Sequence, residues 1–280
     1  MKAGQASRTA VMVCQGRAWA HAAGNCPRFS DPTAMDLLPA DAAEDVRATL
    51  EGRLLLSPRS RFTRTHLIRN GLVQAVRTVA IDDAVRRKST RQLVILGAGL
   101  DGRAWRMPEL QETTVFEVDH PDTQRAKQAA LGERAPCAKE VRFAAVDFTR
   151  DDLAERLAAS GHDAELPTTW IWEGVVMYLT PEQVEATLSV IRDRSAKGSR
   201  LIIVYHRPAW VLKLVNLFVS RLGEPFRSTF SEGAMRALLA RYGFQVSEDR
   251  SAAEVGGSLS AAVGQATRFA THLRIAVADS

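Results

Sequence analysis

The stretch LVILGAGLDG, residues 93–102, decides the fold class of this chain. A short apolar run, Leu93–Leu96, leads directly into Gly97, Gly99 and Gly102 in the spacing GxGxxG. Glycine is needed where a backbone turns tightly and lies against a ligand without a Cβ in the way. A strand, a glycine loop and a helix in this order predict the first unit of a nucleotide-binding α/β sheet.

Downstream of this loop, short apolar runs alternate with helical stretches. Runs rich in β-branched and aromatic residues are typical of strands, and nearly continuous apolar strands suit a sheet buried on both faces. The alternation predicts βαβ units and a doubly wound parallel sheet. The predicted strands are LVIL (93–96), TTVFEV (113–118), VRFAAV (141–146), TTWIWE (168–173) and RLIIVY (200–205).

The end of the chain predicts a different connection. A helix over Ser231–Tyr242 precedes a strand in GFQVSED (243–249). The small-residue segment SAAEVGGSLSAAVGQ (251–265) is interpreted as a loop before a last strand in ATRFATHLRIAV (266–277). Strands joined by a loop and not by a helix predict an antiparallel edge. Residues 91–280 are thus expected to form a Rossmann-like sheet, parallel with an antiparallel C-terminal strand.

The first ninety residues predict a helical N-terminal cap, residues 1–90. Ser30-Asp31-Pro32 predicts one helix start, because a capping side chain precedes a proline, and Ser57-Pro58 predicts another. The polar segment RRKSTRQ at 86–92 separates this cap from the sheet.

A second apolar segment, PAWVLKLVNLFVSRLGEP at 208–225, exceeds an ordinary surface helix in apolar content. It is too short to cross a bilayer and is interrupted by Lys213 and Arg221. A lid-like insertion over 207–228, a homodimer face and a plain buried helix are all consistent with it.

Composition excludes several classes of protein. The 280 residues are 46% hydrophobic and 25% charged, which predicts a packed core, and no apolar run is long enough to span a membrane. Cys14, Cys26 and Cys137 form neither a metal-type CxxC pair nor a disulfide framework, so we expect no metal site and a cytoplasmic location. The net charge of +5 is interpreted as a solvated surface, because no nucleic-acid-binding motif accompanies it.

Carboxylates follow the second and third predicted strands. Glu117 and Asp119 come about 20 residues after Gly97, where a carboxylate can accept hydrogen bonds from ribose hydroxyls. Asp147 and Phe148 end the third strand and suit an adenine ring. Each carboxylate taken singly could be a helix cap, but successive strand ends beside a glycine loop favour ligand binding. A dinucleotide-dependent dehydrogenase fits the loop, yet the third-strand pair and the terminal strands favour S-adenosyl-L-methionine (SAM).

These motifs resemble the leucine carboxyl methyltransferase family, including its bacterial SAM-dependent O-methyltransferases associated with polyketide modification. The resemblance runs from about Arg17 to Phe244 and implies a class I methyltransferase sheet in which the cap contributes to the cofactor and substrate site. The segments that carry it are LGAGLDGRAWR (96–106), FEVDHP (116–121), VDF (146–148), WEGVVMYL (172–179), FSDPTAMDLL (29–38) and GEPF (223–226).

The resemblance also implies roles for particular residues toward SAM. Gly102 departs from it, since relatives usually have threonine there. The implied contacts are Arg64 with the SAM carboxylate, Gly97 and Gly99 with the methionine moiety, Asp119 with the ribose, Asp147 and Phe148 with adenine, Glu173 as a cofactor-site glutamate, and Arg17 as a candidate basic residue near the cofactor.

His206 and Tyr178 are the candidate residues on the acceptor side. His206 follows the fifth strand at its carboxyl end, and an imidazole with a pKa near neutrality could deprotonate a hydroxyl. A carboxylate acceptor is already ionised and needs no base. The alternative for both residues is burial without a catalytic role, and His66 and His120 are interpreted as structural.

The sequence therefore predicts a SAM-dependent O-methyltransferase that acts on a hydroxyl or carboxyl group of a small molecule, such as a polyketide of secondary metabolism. The alternatives are a carboxyl methyltransferase of a protein or peptide C-terminus and a non-enzymatic SAM-binding regulatory protein. We expect a small-molecule partner and neither nucleic acid nor membrane as partner.

Overall fold

The computed structural model describes residues 7–53, 58–147, 150–209 and 226–280, and of residues 58–63 and 66 it describes the backbone alone. Phe148 and most of the expected insertion at 207–228 lie outside these residues. The insertion and the contact of Phe148 with adenine therefore stay predictions.

A single seven-stranded sheet organises the described residues, with the strand order β3-β2-β1-β4-β5-β7-β6. Strands β1 to β5 run parallel, and β7 is antiparallel to both β5 and β6. The predicted Rossmann-like class with an antiparallel C-terminal strand is confirmed. The strands are β1 (Gln92–Leu96), β2 (Thr114–Asp119), β3 (Glu140–Ala145), β4 (Thr168–Trp172), β5 (Arg200–His206), β6 (Gln245–Ser251) and β7 (Leu273–Asp279).

Helices cover both faces of the sheet and precede it in the chain. Their bounds are α1 (Arg8–Ala23), α2 (Ala40–Leu50), α3 (Pro58–Arg86), α4 (Arg103–Arg106), α5 (Pro121–Leu131), α6 (Leu153–Ala159), α7 (Pro181–Asp193), α8 (Glu232–Arg241), α9 (Ala252–Leu259) and α10 (Ala261–Thr267).

Alternation along β1 separates the two halves of the core. Leu93 and Ile95 pack on one face of the sheet, while Val94 and Leu96 pack on the other. A third apolar cluster joins α1, α2 and α3 to Leu100 of the glycine loop. The helical N-terminal segment thus packs directly on the loop that follows β1.

The strand order reverses at β1, which pairs with β2 on one side and β4 on the other. Open α/β sheets bind ligands in the crevice outside the carboxyl ends of the strands at such a point. In this chain that crevice lies between Gly97, after β1, and Glu173, after β4.

The prediction of a loop between β6 and β7 is wrong, because two helices, α9 and α10, fill that connection. Ser251 and Glu254 form a reciprocal capping box, and the Ser260 side chain accepts from the Val263 N–H, so both helices have a start signal. The small residues serve helix packing: a Cβ on Gly264 would lie 2.8 Å from the Gly257 Cα.

The helix start predicted at Ser30-Asp31-Pro32 is also wrong. Residues 32–38 form turns, and α2 begins at Ala40. The Asp31 side chain is fully buried and accepts a 2.7 Å hydrogen bond from the Thr33 hydroxyl, so it does not cap a helix. The start of α3 at Pro58 and the polar break after Arg86 are as predicted.

Gly264→Ala is expected to lower the free energy of unfolding by about 1–3 kcal/mol, because its methyl group overpacks the α9–α10 contact. Gly257→Ala is the matched control: its methyl group meets nothing within 4 Å. Alanine there should raise the stability of α9 by about 0.5–1 kcal/mol. Urea unfolding followed by circular dichroism compares the two, and equal midpoints would contradict the close packing.

Candidate functional site

The glycine loop is held in a conformation that only glycine adopts easily. Gly97 and Gly99 have φ angles of 70° and 51°. The Gly97 N–H donates to the Val118 carbonyl at 2.8 Å, which fastens the loop to the end of β2. A Cβ on Gly97 would lie 2.3 Å from Val175 Cγ2, and one on Gly99 would lie 3.1 Å from Ala10 Cβ. Both glycines therefore meet the conformational and steric demands predicted for them.

Asp119 places a carboxylate directly against this loop. Its Oδ2 accepts from the Gly99 N–H at 2.5 Å, and its Oδ1 accepts from the His120 N–H at 2.6 Å. Burial raises the pKa of Asp119, while the two N–H donors oppose that rise. Each carboxylate oxygen has a second lone pair, so the group can also accept hydrogen bonds from a ligand.

Glu117, the other carboxylate of the same strand, lies one layer deeper. Its Oε2 accepts from Lys127 Nζ at 2.5 Å, and both side chains are almost fully buried. Burial raises the pKa of Glu117 to about 7, even though Lys127 acts in the opposite sense. Of the two carboxylates that the sequence offered for a ribose, Asp119 is the one beside the loop.

Asp147 follows β3 at the same edge of the sheet. Its side chain is 29% exposed and lies 3.8 Å from Arg150. Its N–H donates to Asp151 Oδ2 at 2.8 Å, and its carbonyl accepts from the Asp151 N–H, so this turn is closed on itself. The neighbouring Val146 N–H donates to the Asp119 carbonyl, which links the ends of β2 and β3.

Glu173 faces Gly97 across the switch point, because Trp172 of β4 is in register with Leu96 of β1. Its carboxylate lies 2.6 Å from Arg77 Nε and 2.9 Å from Arg103 Nη1. Burial alone would raise the pKa of Glu173, but the two guanidinium groups outweigh it and the pKa is lowered. Glu173 is thus a carboxylate at neutral pH.

The two arginines belong to a continuous chain of buried ion pairs beneath the loop. Its basic and acidic members are equal in number, and none of their side chains is more than 12% exposed. Contacts run from α1 through α4 and α3 to the end of β4. In the order of contact, the members are Arg17, Asp31, Arg106, Asp82, Arg103, Asp101, Glu173 and Arg77.

Sequence reasoning missed most of this chain of charges, which we call the buried charge network. A signal was present in AVRTVAIDDAV (75–85), where Arg77 and Asp82 interrupt an otherwise apolar stretch of α3. Charged residues on the buried side of a helix are rare unless they are paired. The local excess of basic residues had been interpreted as a solvated surface, but Arg77 and Arg103 are buried.

Arg17, a predicted cofactor contact, supports the loop from below. Its Nη2 donates to the Leu100 carbonyl at 2.5 Å, and its Nε lies 3.4 Å from Asp31. Arg64, the other predicted arginine, is half-buried on α3, one turn before the buried Leu67. Among the residues that the structure describes, no acidic side chain pairs with Arg64. The contacts predicted for the two arginines with a cofactor stay predictions.

The departure at Gly102 has a steric cause. A Cβ at this position would lie 1.9 Å from Thr33 Oγ1, and the Asp31 carboxylate is 3.3 Å away. The Thr33 hydroxyl occupies the space that a side chain at position 102 would need, so threonine is excluded there.

On the acceptor side, His206 and Tyr178 belong to a row of four rings. The His206 ring lies 5.5 Å from that of Phe226 and 5.6 Å from that of His272, and Phe226 lies 5.8 Å from Tyr178. His206 is 8% exposed, and its Nδ1 has no hydrogen-bond partner within the described ranges. Two candidate residues from different strand ends are thus brought to one place.

The imidazole of His206 is neutral at physiological pH. Burial lowers its pKa to about 3, and the neighbouring His272 and Arg77 lower it further. This value differs from the near-neutral pKa on which the general-base hypothesis depended. The difference arises because sequence does not reveal how deeply a strand-end histidine is buried.

Two other residues have structural partners. The Nδ1 of His120 accepts from the Asp122 N–H at 3.2 Å and caps α5. The Tyr205 hydroxyl donates to Asp249 Oδ2 at 2.7 Å, away from the row of rings. The side chain of His66 lies outside the described residues.

Residues 10–192 match the sequence profile of the leucine carboxyl methyltransferase family. The chain belongs to this family. A proposed SAM-dependent methyltransferase of Mycolicibacterium gilvum is 39% identical over 203 residues, which cover 70% of this chain and 65% of that relative. The match thus spans slightly less than two thirds of the relative's length.

Solved structures share the fold at low sequence identity. A DUF574 family protein from Streptomyces avermitilis has a TM-score of 0.63 at 12% identity and covers 99% of this chain and 98% of its own. A SAM-dependent methyltransferase from Archaeoglobus fulgidus has a TM-score of 0.50 at 15% identity and covers 80% and 100%. Within the described part of the chain, no helix is both long and apolar enough to cross a membrane.

Arg103→Gln is expected to lower the free energy of unfolding by about 3–5 kcal/mol, because it leaves buried acidic partners without their cation. Arg156→Gln is the control, since its pair with Asp151 is exposed and should leave the unfolding midpoint unchanged. Chemical unfolding of both variants is the measurement. A similar midpoint for Arg103→Gln and the wild type would contradict a structural role of the buried charge network.

Proposed function

We propose that this chain is a SAM-dependent methyltransferase that methylates an oxygen atom of a small molecule. The observation that carries the proposal is the carboxylate of Asp119, held by the Gly99 N–H beside a glycine loop and facing the crevice at the switch point. Family membership and the names of the relatives support the same reading.

The residues at the carboxyl edge fit SAM. The loop at Gly97 and Gly99 has no room for side chains, which lets a ligand lie against the backbone. Asp119 would hold the ribose hydroxyls, Asp147 would accept from the adenine amine, and Glu173 would hold a further donor of the cofactor. When bound, SAM supplies an electrophilic methyl group on a sulfonium.

Acceptor binding is proposed at the row of rings beyond β4 and β5. Tyr178 and Phe226 offer flat apolar surfaces, and His206 offers a neutral hydrogen-bonding group. Holding the acceptor oxygen in line with the methyl group can supply on the order of 7–11 kcal/mol of the barrier. Positioning is therefore the main task of this chain's residues.

The low pKa of His206 favours one kind of acceptor. A group with a pKa of about 3 is a weak base, so it cannot readily take the proton of an alcohol. A carboxylate or an acidic phenol is ionised without help and needs only orientation. We therefore propose carboxyl groups and acidic hydroxyls, such as those of polyketides, as the acceptor class.

Asp119→Ala should weaken the binding of S-adenosylhomocysteine (SAH) about tenfold or more, because hydrogen bonds to a charged group are lost. Asp193→Ala, on an exposed side chain at the end of α7, should bind SAH like the wild type. Titration calorimetry with SAH and with NAD⁺ measures both. Binding of NAD⁺ instead of SAH would return the dehydrogenase alternative.

Methyl transfer to a carboxylate or acidic phenol should show no titration of His206 between pH 5 and pH 8, because the imidazole stays neutral above a pKa of about 3. His206→Gln should keep the shape of the pH profile of kcat while raising the KM of the acceptor. Initial rates across this pH range, with carboxylic acids, phenols and a C-terminal peptide as acceptors, are the measurement. An inflection near pH 6.5 that disappears in His206→Gln would instead make His206 the base.

A further inference from the structure

Arg77 lies where the cofactor side and the acceptor side of the site meet. It belongs to α3 of the N-terminal helical segment and is 4% exposed, although the residues around it in the helix are apolar. Its Nε is 2.6 Å from Glu173 Oε1. Its charge also contributes to the lowered pKa of His206 at the end of β5.

Arg77 and Arg103 hold Glu173 from two sides. Arg103 Nη1 binds the second carboxylate oxygen at 2.9 Å, but Arg103 is shared with Asp82 and Asp101. No acidic side chain other than Glu173 pairs with Arg77 in the part of the chain that the structure describes. Arg77 is thus the arginine committed to Glu173 alone.

Glu173 is the carboxylate opposite the glycine loop, so its orientation bears on any ligand in the crevice. A carboxylate on the last residue of a strand end has free rotation about its side-chain bonds unless partners fix it. Two buried guanidinium groups fix both oxygens and keep the group ionised in a desolvated place.

We propose that Arg77 is a positioning residue for cofactor binding, which acts by fixing the carboxylate of Glu173. This inference rests on the proposed function, because it takes the crevice between Gly97 and Glu173 as the cofactor site. The arginine is delivered from the N-terminal helical segment, so that segment contributes to the site through Glu173 as well as through its packing on the loop.

The test is a double-mutant cycle read by SAH binding. Arg77→Gln and Glu173→Gln should each weaken SAH binding about tenfold, which corresponds to about 1.4 kcal/mol. The double variant should bind SAH no more weakly than Glu173→Gln alone, because Arg77 acts through that carboxylate. Arg69→Gln is the matched control, an exposed arginine on the same helix, and should bind SAH like the wild type.

A pH series separates this role from general stabilisation. Glu173 is faced by Arg77 from α3, Arg103 from α4, Arg17 from α1 and Asp101 from the loop. Removing the Arg77 charge raises the pKa of Glu173, so the SAH affinity of Arg77→Gln should fall as the pH is lowered from 8 to 5. The wild-type affinity should stay flat over this range, and Arg77→Lys should restore much of it.

The outcomes are distinct. Arg77→Met deletes the charge with a side chain suited to burial and replaces Arg77→Gln in the cycle if the latter does not fold. Losses that add in the double variant, or a charge-deleted variant that binds SAH like the wild type, would overturn the role of Arg77 alone. Absence of SAH binding by the wild type would overturn the proposed function and this inference with it.

Discussion

The site depends on the pairing of buried charges beneath the glycine loop. Arg103 is fully buried and contacts three carboxylates that come from α3, the loop and the end of β4. Transferring an unpaired charge into such a place would cost several kcal/mol, so each member requires the others to be in position. The ends of elements far apart in sequence are thereby fixed relative to one another, and the crevice at the switch point inherits its shape from them.

Electrostatic balance also divides the labour among the carboxylates. Glu117 is neutralised by Lys127, and Glu173 is matched by Arg77 and Arg103. Asp119 instead has backbone N–H donors as partners, with no cation in contact. A carboxylate bound by dipoles alone remains a strong acceptor for ligand hydroxyls, which distinguishes Asp119 from its neighbours.

The fold class could be predicted because strands and the glycine loop are local patterns. LVILGAG states a buried strand and a left-handed turn in its own residue types, and the five parallel strands follow the same rule. The α9–α10 pair was missed because alanine, glycine and serine suit both loops and tightly packed helices, and only the partner surface decides. The buried state of Arg77, and the low pKa of His206, depend on residues more than 60 positions away, which no local pattern encodes.

The span of the buried charge network has a consequence for synthesis of the chain. Arg17 leaves the ribosome long before Glu173, and at about 5–20 residues per second the delay is of the order of 8–30 s. Throughout that interval the arginines of α1 and α3 lack their carboxylate at the end of β4 and must stay hydrated. The emerging N-terminal helices therefore cannot reach their final burial on their own, and the nascent chain offers exposed apolar helix faces to any chaperone until β4 arrives.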